Sequence, residues 1–109
     1  MTNTKSTEPM KKPSLSKRIV FSLLNKLKDG HICLIENGNE VMFGNKDATI
    51  AATITIHDSK AYSRILWGGS IGAGEAYIEG LWSADDLVAV IQLFSRNLAT
   101  LEQYEQRFG

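Results

Sequence analysis

The spacing of apolar residues along the chain changes near Gly30, from a helical period to a strand-like one. Before that glycine, the stretch SLSKRIVFSLLNKLKD (14–29) repeats apolar side chains at helical spacing, which places them on one half of a helical wheel. A glycine directly after the last periodic residue is a common helix terminator. We therefore predict an amphipathic helix over residues 14–29. Its polar half, where the pattern also places one aromatic ring, contains Lys17, Arg18, Phe21 and Lys28.

Short apolar runs and strict alternation follow, and both are typical of β-strands. The runs HICLIE (31–36) and EVMFG (40–44) flank Asn37-Gly38-Asn39, a combination that favours a tight hairpin turn. In ATIAATITIH (48–57) isoleucine and alanine alternate with threonine, as expected for a strand buried on one face. We expect these three strands to form a small antiparallel sheet.

Two further helices are predicted after the strands. Asp58 is placed to cap a short helix over residues 59–67, which Gly68 and Gly69 would end. Ser83 and Asp86, three positions apart, fit a capping box that opens a helix running to about residue 97, with an extension past Thr100 left open. The apolar stripe of that last helix comprises Leu87, Val90, Ile91, Phe94, Leu98 and Leu101. The fold class predicted is α+β, with helices packed on a small antiparallel sheet.

Length and composition add the domain boundaries. The chain has 109 residues, which suits one domain. Residues 1–13 are polar, basic and interrupted by two prolines, so we expect a disordered tail there and a single domain over 14–109. Cys33 is the only cysteine, which excludes an intramolecular disulfide. No apolar run approaches a membrane span or a secretory signal, and we expect a cytoplasmic protein.

The net charge of zero conceals an uneven distribution. Residues 1–30 carry seven basic and two acidic side chains, whereas the remainder carries five basic and ten acidic ones. A basic end on an acidic body favours an electrostatic partner, either nucleic acid or an anionic lipid surface. Since no nucleic-acid-binding motif is present, we expect no nucleic acid and predict peripheral contact with the inner face of a membrane through the polar half of the first helix. The alternative is a helix that only packs on the domain.

The sequence offers no catalytic, cofactor-binding or metal-binding constellation. His57, Asp58 and Ser59 are neighbours in sequence, and neighbours at a strand end point in different directions, so they do not make a triad. His31 is the only other histidine, which excludes a zinc site with several histidine ligands. Five glycines between residues 68 and 80 lack the strand-loop-helix context of a nucleotide loop, and tight turns with close helix packing are the expected reason for them.

The same glycine-rich region carries a resemblance to a known family. The block GSIGAGEAYIEGLWSADDL (69–87) resembles a stretch near the start of cyclopropane-fatty-acyl-phospholipid synthases, and the resemblance extends over roughly residues 47–98. Leu81 and Glu79 stand where the family often has tryptophan and aspartate. The motif positions are Gly69, Gly72, Gly74, Glu75, Tyr77, Gly80, Trp82 and Leu87.

The resemblance implies a role for this chain without chemistry of its own. The family transfers a methylene group from S-adenosylmethionine to unsaturated acyl chains of membrane phospholipids, and its cofactor loop and catalytic residues belong to a later domain that this chain lacks. The resemblance therefore implies a non-catalytic first domain of sterol-carrier-like fold that handles lipid, docks to the catalytic domain and touches the membrane. A homodimer is a further candidate assembly. The alternative function is a free-standing small lipid carrier.

Overall fold

The structure, a computed structural model, describes residues 14–97, and these residues form three helices and one four-stranded sheet. The α+β class predicted from the sequence is confirmed. The predicted tail over residues 1–13, and the core positions Leu98 and Leu101, lie outside the described residues. In chain order the elements are α1 (Leu15–Leu24), β1 (His31–Glu36), β2 (Asn39–Gly44), β3 (Ala51–Ile56), α2 (Lys60–Ile78), β4 (Trp82–Ala84) and α3 (Leu87–Arg96).

The sheet is mixed, with strand order β2-β1-β3-β4, so the expectation of a wholly antiparallel sheet was wrong. The hairpin β1-β2 is antiparallel and turns through Asn37 and Gly38, whose φ angles of 53° and 81° give the turn that sequence predicted. β3 pairs with the other edge of β1 and runs parallel to it. β3 is therefore antiparallel in direction to β2, with which it does not pair. β2, with Glu40 and Met42 exposed, is left as an edge strand.

One face of the sheet carries the hydrophobic core. Alternate residues of β1 and β3 are buried, as the period of two predicted for β3. Helices α1 and α3 contribute their apolar sides to this core. The buried core side chains of these four elements are Val20, Leu24, Ile32, Leu34, Ala52, Ile54, Ile56, Ala89, Val90 and Leu93.

Helix α1 begins where predicted and ends five residues early. The Ser14 side chain accepts the Lys17 N–H at 3.1 Å and caps the helix. The helix stops at Leu24 because the following residues turn inward: Leu27 is buried, and the Lys28 N–H donates to Asn97 Oδ1 at 2.6 Å. Gly30 does not end the helix. It lies directly before β1, where a Cβ would collide with the Leu93 side chain of α3.

The start of α3 also differs from the sequence expectation. Ser83 belongs to β4, and Asp86 is itself the N-cap, with its carboxylate accepting the Ala89 N–H at 3.1 Å. Hydrogen bonds of Asp85 help to hold β4, a strand that the sequence did not predict. The Asp85 carboxylate accepts the Thr53 N–H at 2.8 Å, and the Asp85 N–H donates to Thr53 O, so the pairing of β4 with β3 is extended by one residue. Ile91, predicted for the core, is 56% exposed because α3 turns a different face inward.

The cap of α2 is close to the prediction. The Asp58 carboxylate accepts the Lys60 N–H at 2.9 Å, although the N-cap position itself is Ser59, whose side chain makes no capping bond. Within residues 14–97, no helix has the length and apolar character needed to cross a bilayer.

Candidate functional site

Helix α2 is bent into a hairpin at a glycine. Gly69 has φ 59° and ψ −140°, outside the helical region, and it separates helical residues 60–68 from helical residues 70–78. A positive φ favours glycine, because a side chain would be strained there. The break at residues 68–69 was predicted, but the helical second half was not. We call residues 60–80 the glycine hairpin.

The two halves of the glycine hairpin touch through their backbones. A Cβ placed on Gly72 would lie 2.1 Å from the carbonyl oxygen of Arg64, so only glycine fits at this crossing. The Arg64 guanidinium then closes the hairpin on the outside by donating to both carboxylate oxygens of Glu79, at 2.7 and 2.9 Å. These hydrogen bonds raise the pKa of Arg64, with Glu75 adding a smaller effect. Close helix packing is therefore the reason for one of the block's glycines.

Trp82 fastens the second half of the hairpin to the sheet. Its side chain is buried, and its indole N–H donates to the Ala73 carbonyl at 2.9 Å. Its ring meets the edge of the Tyr77 ring with centroids 5.1 Å apart. The backbone on either side is tied down as well, because the Leu81 N–H donates to Ala76 O and the Leu81 carbonyl accepts from His57 N–H. Trp82 is thus a structural residue of the described domain.

The motif positions of the sequence block fall into two groups in space. The first group has roles in the packing of the domain and comprises Gly69, Gly72, Gly80 and Trp82. Gly80 belongs to it because its φ of 81° allows the chain to reverse direction after α2. Leu87 is half-buried and begins α3. The second group is exposed to solvent and comprises Gly74 and Glu75. A Cβ on Gly74 would meet nothing within 4 Å. Tyr77, 37% exposed, lies at the boundary between the two groups.

The glycine block does not form a cofactor loop. Apart from Gly69 and Gly80, its glycines lie within the helical segments of α2, where backbone N–H groups serve the helix itself. The next strand, β4, has three residues and pairs antiparallel with β3, which is not the parallel strand-loop-helix unit of a dinucleotide site. These residues do not fit S-adenosylmethionine, and no chemical step is assigned to it in this chain.

A second cluster joins α1, β1 and α2 through a shared carboxylate. Glu36 Oε1 accepts from Lys17 Nζ at 2.9 Å and from the Tyr62 hydroxyl at 2.8 Å. Lys17 Nζ also lies 5.4 Å from the centroid of the Phe21 ring and 5.7 Å from that of Tyr62. Burial, together with the hydrogen bond to Glu36, raises the pKa of Tyr62 far above its usual range. We call Lys17, Phe21, Glu36 and Tyr62 the ion cluster.

Phe21 does not lie on an outward basic face, so its expected position was wrong. Its ring packs edge-on against Phe43 at 5.1 Å and Tyr62 at 6.0 Å, and it borders the core. The reason is that α1 packs against α2 and also contacts the sheet through Phe21 and Lys17, so the strip of α1 that contains these two residues faces the domain.

The remaining predicted membrane residues, Arg18 and Lys28, are exposed. Arg18 lies on the outer surface of α1, three residues after Leu15, which is 65% exposed. Lys28 lies beyond the end of the helix. The four predicted contact residues therefore do not all face outward, since Lys17 and Phe21 contact the domain, and membrane binding stays a prediction.

Two surface cavities accompany these features. One, of about 130 Å³, borders the ion cluster and the β1-β2 turn; the other, of about 260 Å³, lies between the loop before β3 and the end of α3. Polar side chains dominate both linings. The first is lined by Lys17, Phe21, Leu34, Glu36, Asn37, Asn39 and Val41, and the second by Asp29, Asn45, Asp47, Ala48, Thr49, Ile50 and Arg96.

Two of the candidate chemical residues, His57 and Cys33, have surroundings that favour a structural role. His57 Nε2 lies 2.7 Å from Ser83 Oγ, joining the end of β3 to β4, so His57 pairs across strands rather than with its sequence neighbours. Burial raises the pKa of the half-buried Cys33 thiol, which disfavours the reactive thiolate. No group of three or more potential metal-ligating side chains occurs in the part of the chain that the structure describes.

Comparison with known proteins gives no relative: no family model, no curated protein and no solved structure matches this chain.

Removing the shared carboxylate of the ion cluster should lower stability. In Glu36→Ala the buried Tyr62 hydroxyl loses its acceptor and Lys17 loses its counter-ion, which should reduce the free energy of unfolding by about 1–3 kcal/mol. Urea unfolding followed by circular dichroism measures this. Glu40→Ala, which removes an exposed acid from β2, is the control and should change stability by less than about 0.5 kcal/mol. Equal effects of the two substitutions would contradict the structural role of the cluster.

Proposed function

We propose that this chain is the non-catalytic amino-terminal domain of a cyclopropane-fatty-acyl-phospholipid synthase. The observation that carries the proposal is the block Gly69–Leu87, in which several of the positions that resemble the family have roles in one local structure. Gly72, Gly80 and Trp82 each meet a specific steric or hydrogen-bonding need there. The sterol-carrier-like arrangement remains part of this proposal.

Docking to a catalytic domain is the role that the surface of this unit favours. Of the large apolar side chains in residues 14–97, the three most exposed are Trp67, Ile71 and Ile78, all in the glycine hairpin, with exposed fractions of 79%, 75% and 84%. Exposed apolar side chains concentrated in one element are typical of an interaction surface. The synthase itself would transfer the methylene group from S-adenosylmethionine, using residues outside this chain.

A free-standing lipid carrier is the second candidate, and the cavities count against it. Pockets that enclose small-molecule ligands usually have volumes of about 300–1,000 Å³ and apolar walls. The two cavities described here are about 130 and 260 Å³ and mostly polar, so neither suits an acyl chain. Lipid handling by this domain is therefore proposed to require the rest of the synthase.

The coding sequence after Gly109 tests the proposal. A continuing reading frame that encodes a strand followed by an acidic-Gly-x-Gly loop would support a synthase with its cofactor site in the next domain. A stop codon directly after Gly109 would contradict the proposal and favour the free-standing protein.

Membrane contact should be weak and depend on Arg18 and Lys28. Each basic residue near an anionic surface contributes about 1 kcal/mol at most, and the attraction is screened beyond a Debye length of roughly 8–10 Å. The double variant Arg18→Gln/Lys28→Gln should therefore reduce binding to phosphatidylglycerol vesicles at low salt by at least about threefold. Vesicle co-sedimentation measures the bound fraction.

The charge-matched control for membrane contact is Lys46→Gln/Lys60→Gln, which removes two exposed bases outside the basic end of the chain. Retained binding by the control is the expected result. Equal loss of binding in both double variants, or no binding by the unmodified chain, would show that the bases of α1 and its following turn only keep the protein in solution.

A further inference from the structure

Strand β2 leaves one edge of the sheet without a partner strand among residues 14–97. In an antiparallel pair, successive residues direct their backbone groups alternately towards the partner and away from it. The Asn45 N–H, just beyond β2, donates to Gly30 O at 2.9 Å, so the odd-numbered residues of β2 face β1. The backbone N–H and C=O groups of Glu40 and Met42 therefore point away from β1. We call this outward side of residues 39–44 the open edge.

The open edge lacks the features that usually protect an edge strand. Protected edges are typically very short, interrupted by a bulge or a proline, or rich in lysine. β2 instead pairs with β1 over six consecutive residues, and its sequence NEVMFG contains neither proline nor lysine. An edge of this kind pairs readily with another extended segment. We therefore expect a segment of protein to cover it.

The first helix begins beside the open edge. α1 follows its cap Ser14, and Lys17, one turn later, bonds to Glu36 at the end of β1. Farther along the helix, the Phe21 ring contacts Phe43 near the other end of β2. The chain therefore enters the domain at the turn end of β2. A preceding segment that lay along the open edge would run towards that turn, antiparallel to β2.

A recess adjoins the same end of the open edge. The cavity of about 130 Å³ between α1 and the β1-β2 turn has Asn39 and Val41 of β2 in its lining. The lining also includes Asn37, and amide side chains can both donate to and accept from the backbone of a crossing segment. A chain that passed from the open edge to α1 would lie beside this recess.

Residues 1–13 are long enough to cover the open edge. An extended chain spans about 3.3 Å per residue, so thirteen residues reach about 40 Å, whereas the six residues of β2 span about 20 Å. Both prolines, Pro9 and Pro13, follow the stretch NTKSTE (3–8), in which every residue has a backbone N–H. Six residues are thus available for pairing, and residues 9–13 for the return to α1.

The charges of this segment also suit the open edge. Residues 1–13 contain three lysines and one glutamate, whereas the charged side chain of β2 is the exposed Glu40. Opposite charges favour the approach of the segment to this strand and to the acidic remainder of the chain. A polar segment of this composition cannot bury a core of its own, but strand addition would provide partners for its backbone.

We propose that residues 3–8 of this chain pair with the open edge as an added antiparallel strand, and that residues 9–13 connect this strand to α1. The inference does not depend on the proposed synthase. The sheet would then end in a strand of threonine, serine, asparagine and charged residues that includes Lys5. Lysine on an edge strand lowers the tendency to pair further, so the added strand would protect the domain from edge-to-edge aggregation.

Amide hydrogen exchange of the full chain, resolved by nuclear magnetic resonance, tests the added strand. The double variant Lys5→Pro/Ser6→Pro should speed exchange of the Glu40 and Met42 N–H groups at least about tenfold. One of two neighbouring strand residues directs its N–H towards the partner whatever the register, and proline has no N–H to donate. Exchange of the Leu34 N–H, in the centre of the sheet, should stay unchanged and shows that the domain remains folded.

The matched control is Lys5→Ala/Ser6→Ala, which removes the same side chains but keeps both backbone N–H groups. Slow exchange of Glu40 and Met42 should persist in this variant. Measurement at two protein concentrations, about tenfold apart, separates pairing within one chain from pairing with a second copy, because only the latter depends on concentration.

Slow exchange at Glu40 and Met42 that the proline pair abolishes and the alanine pair preserves, at both concentrations, supports the proposal. Rapid exchange of both groups in the unmodified chain overturns it, and so do equal effects of the two double variants. Exchange that slows as the concentration rises would assign the open edge to a second copy and would also overturn the proposal.

Discussion

Replacing Trp82 by alanine should lower the free energy of unfolding by about 3–5 kcal/mol. The substitution removes a buried ring from the junction of the glycine hairpin and the sheet, breaks its contact with Tyr77 and leaves the Ala73 carbonyl without its indole donor. A domain of this size has a total stability of only about 5–15 kcal/mol, so the variant is expected to be partly unfolded at 37 °C. Urea denaturation followed by far-ultraviolet circular dichroism measures the effect.

The chain provides its own control for the loss of an indole. Trp67 lies in the same hairpin but is 79% exposed, so Trp67→Ala should change the free energy of unfolding by less than about 0.5 kcal/mol. Trp67→Ala also leaves Trp82 as the single tryptophan of the chain, so selective excitation of tryptophan fluorescence reports its burial. Comparable stability of the two alanine variants would mean that Trp82 does not hold the hairpin to the sheet.

Replacing Gly72 by alanine should cost about 3 kcal/mol or more. The added methyl group would lie 2.1 Å from the Arg64 carbonyl oxygen, and backbone atoms cannot rotate away as a flexible side chain can. The two halves of α2 would have to separate, which would strain the Arg64–Glu79 ion pair and the hydrogen bond from the Trp82 indole to the Ala73 carbonyl. Thermal or urea unfolding measures the loss.

Gly74→Ala is the matched substitution for Gly72→Ala. It lies in the same helical half, two residues away, and its added methyl group meets open space. Alanine there should leave stability unchanged or raise it by up to about 1 kcal/mol, through its better helix propensity and the smaller entropy of the unfolded chain. If both substitutions destabilised the protein equally, the backbone crossing at Gly72 would not be the reason for glycine.

Local signals in the sequence were sufficient for several elements. The turn at Asn37 and Gly38 is predictable because both residues tolerate the positive φ that a tight hairpin needs. The alternation in β3 predicted its buried face because side chains of a strand point to opposite sides in turn. The break in α2 followed from paired glycines at positions 68 and 69. In each case the deciding interaction lies within a few residues.

Interactions between distant residues explain what the sequence did not predict. After the hairpin, β3 could pair with the free edge of β1 or with the free edge of β2, and no local sequence pattern decides between them. It pairs with β1. β4 has three residues, too few to display a period, and is defined by its pairing with β3. Ser83 and Asp86 satisfy the same capping rule three positions apart, so local chemistry could not separate them.

The candidate site illustrates the same limit. A helical wheel placed Phe21 with the basic residues because it treats a helix as having one buried side. In the structure α1 packs on both the sheet and α2, and Phe21 faces Phe43 and Tyr62. The role of Glu36 as the acceptor shared by Lys17 and Tyr62 depends on three elements meeting. Its position at a strand end gave no signal of that role.

A domain replacement tests the central claim, that this chain is the first domain of a cyclopropane-fatty-acyl-phospholipid synthase. The chain would be fused in place of the corresponding domain of such a synthase, and methylene transfer from labelled S-adenosylmethionine to unsaturated phospholipid vesicles would be measured. A graft that carries Gly72→Ala controls for the fold of the inserted domain. If the claim holds, the graft should be at least about tenfold more active than the synthase lacking its first domain, and the Gly72→Ala graft should lose this activity. A graft that unfolds cooperatively and retains cofactor binding, yet is no more active than the truncated synthase, would contradict the claim.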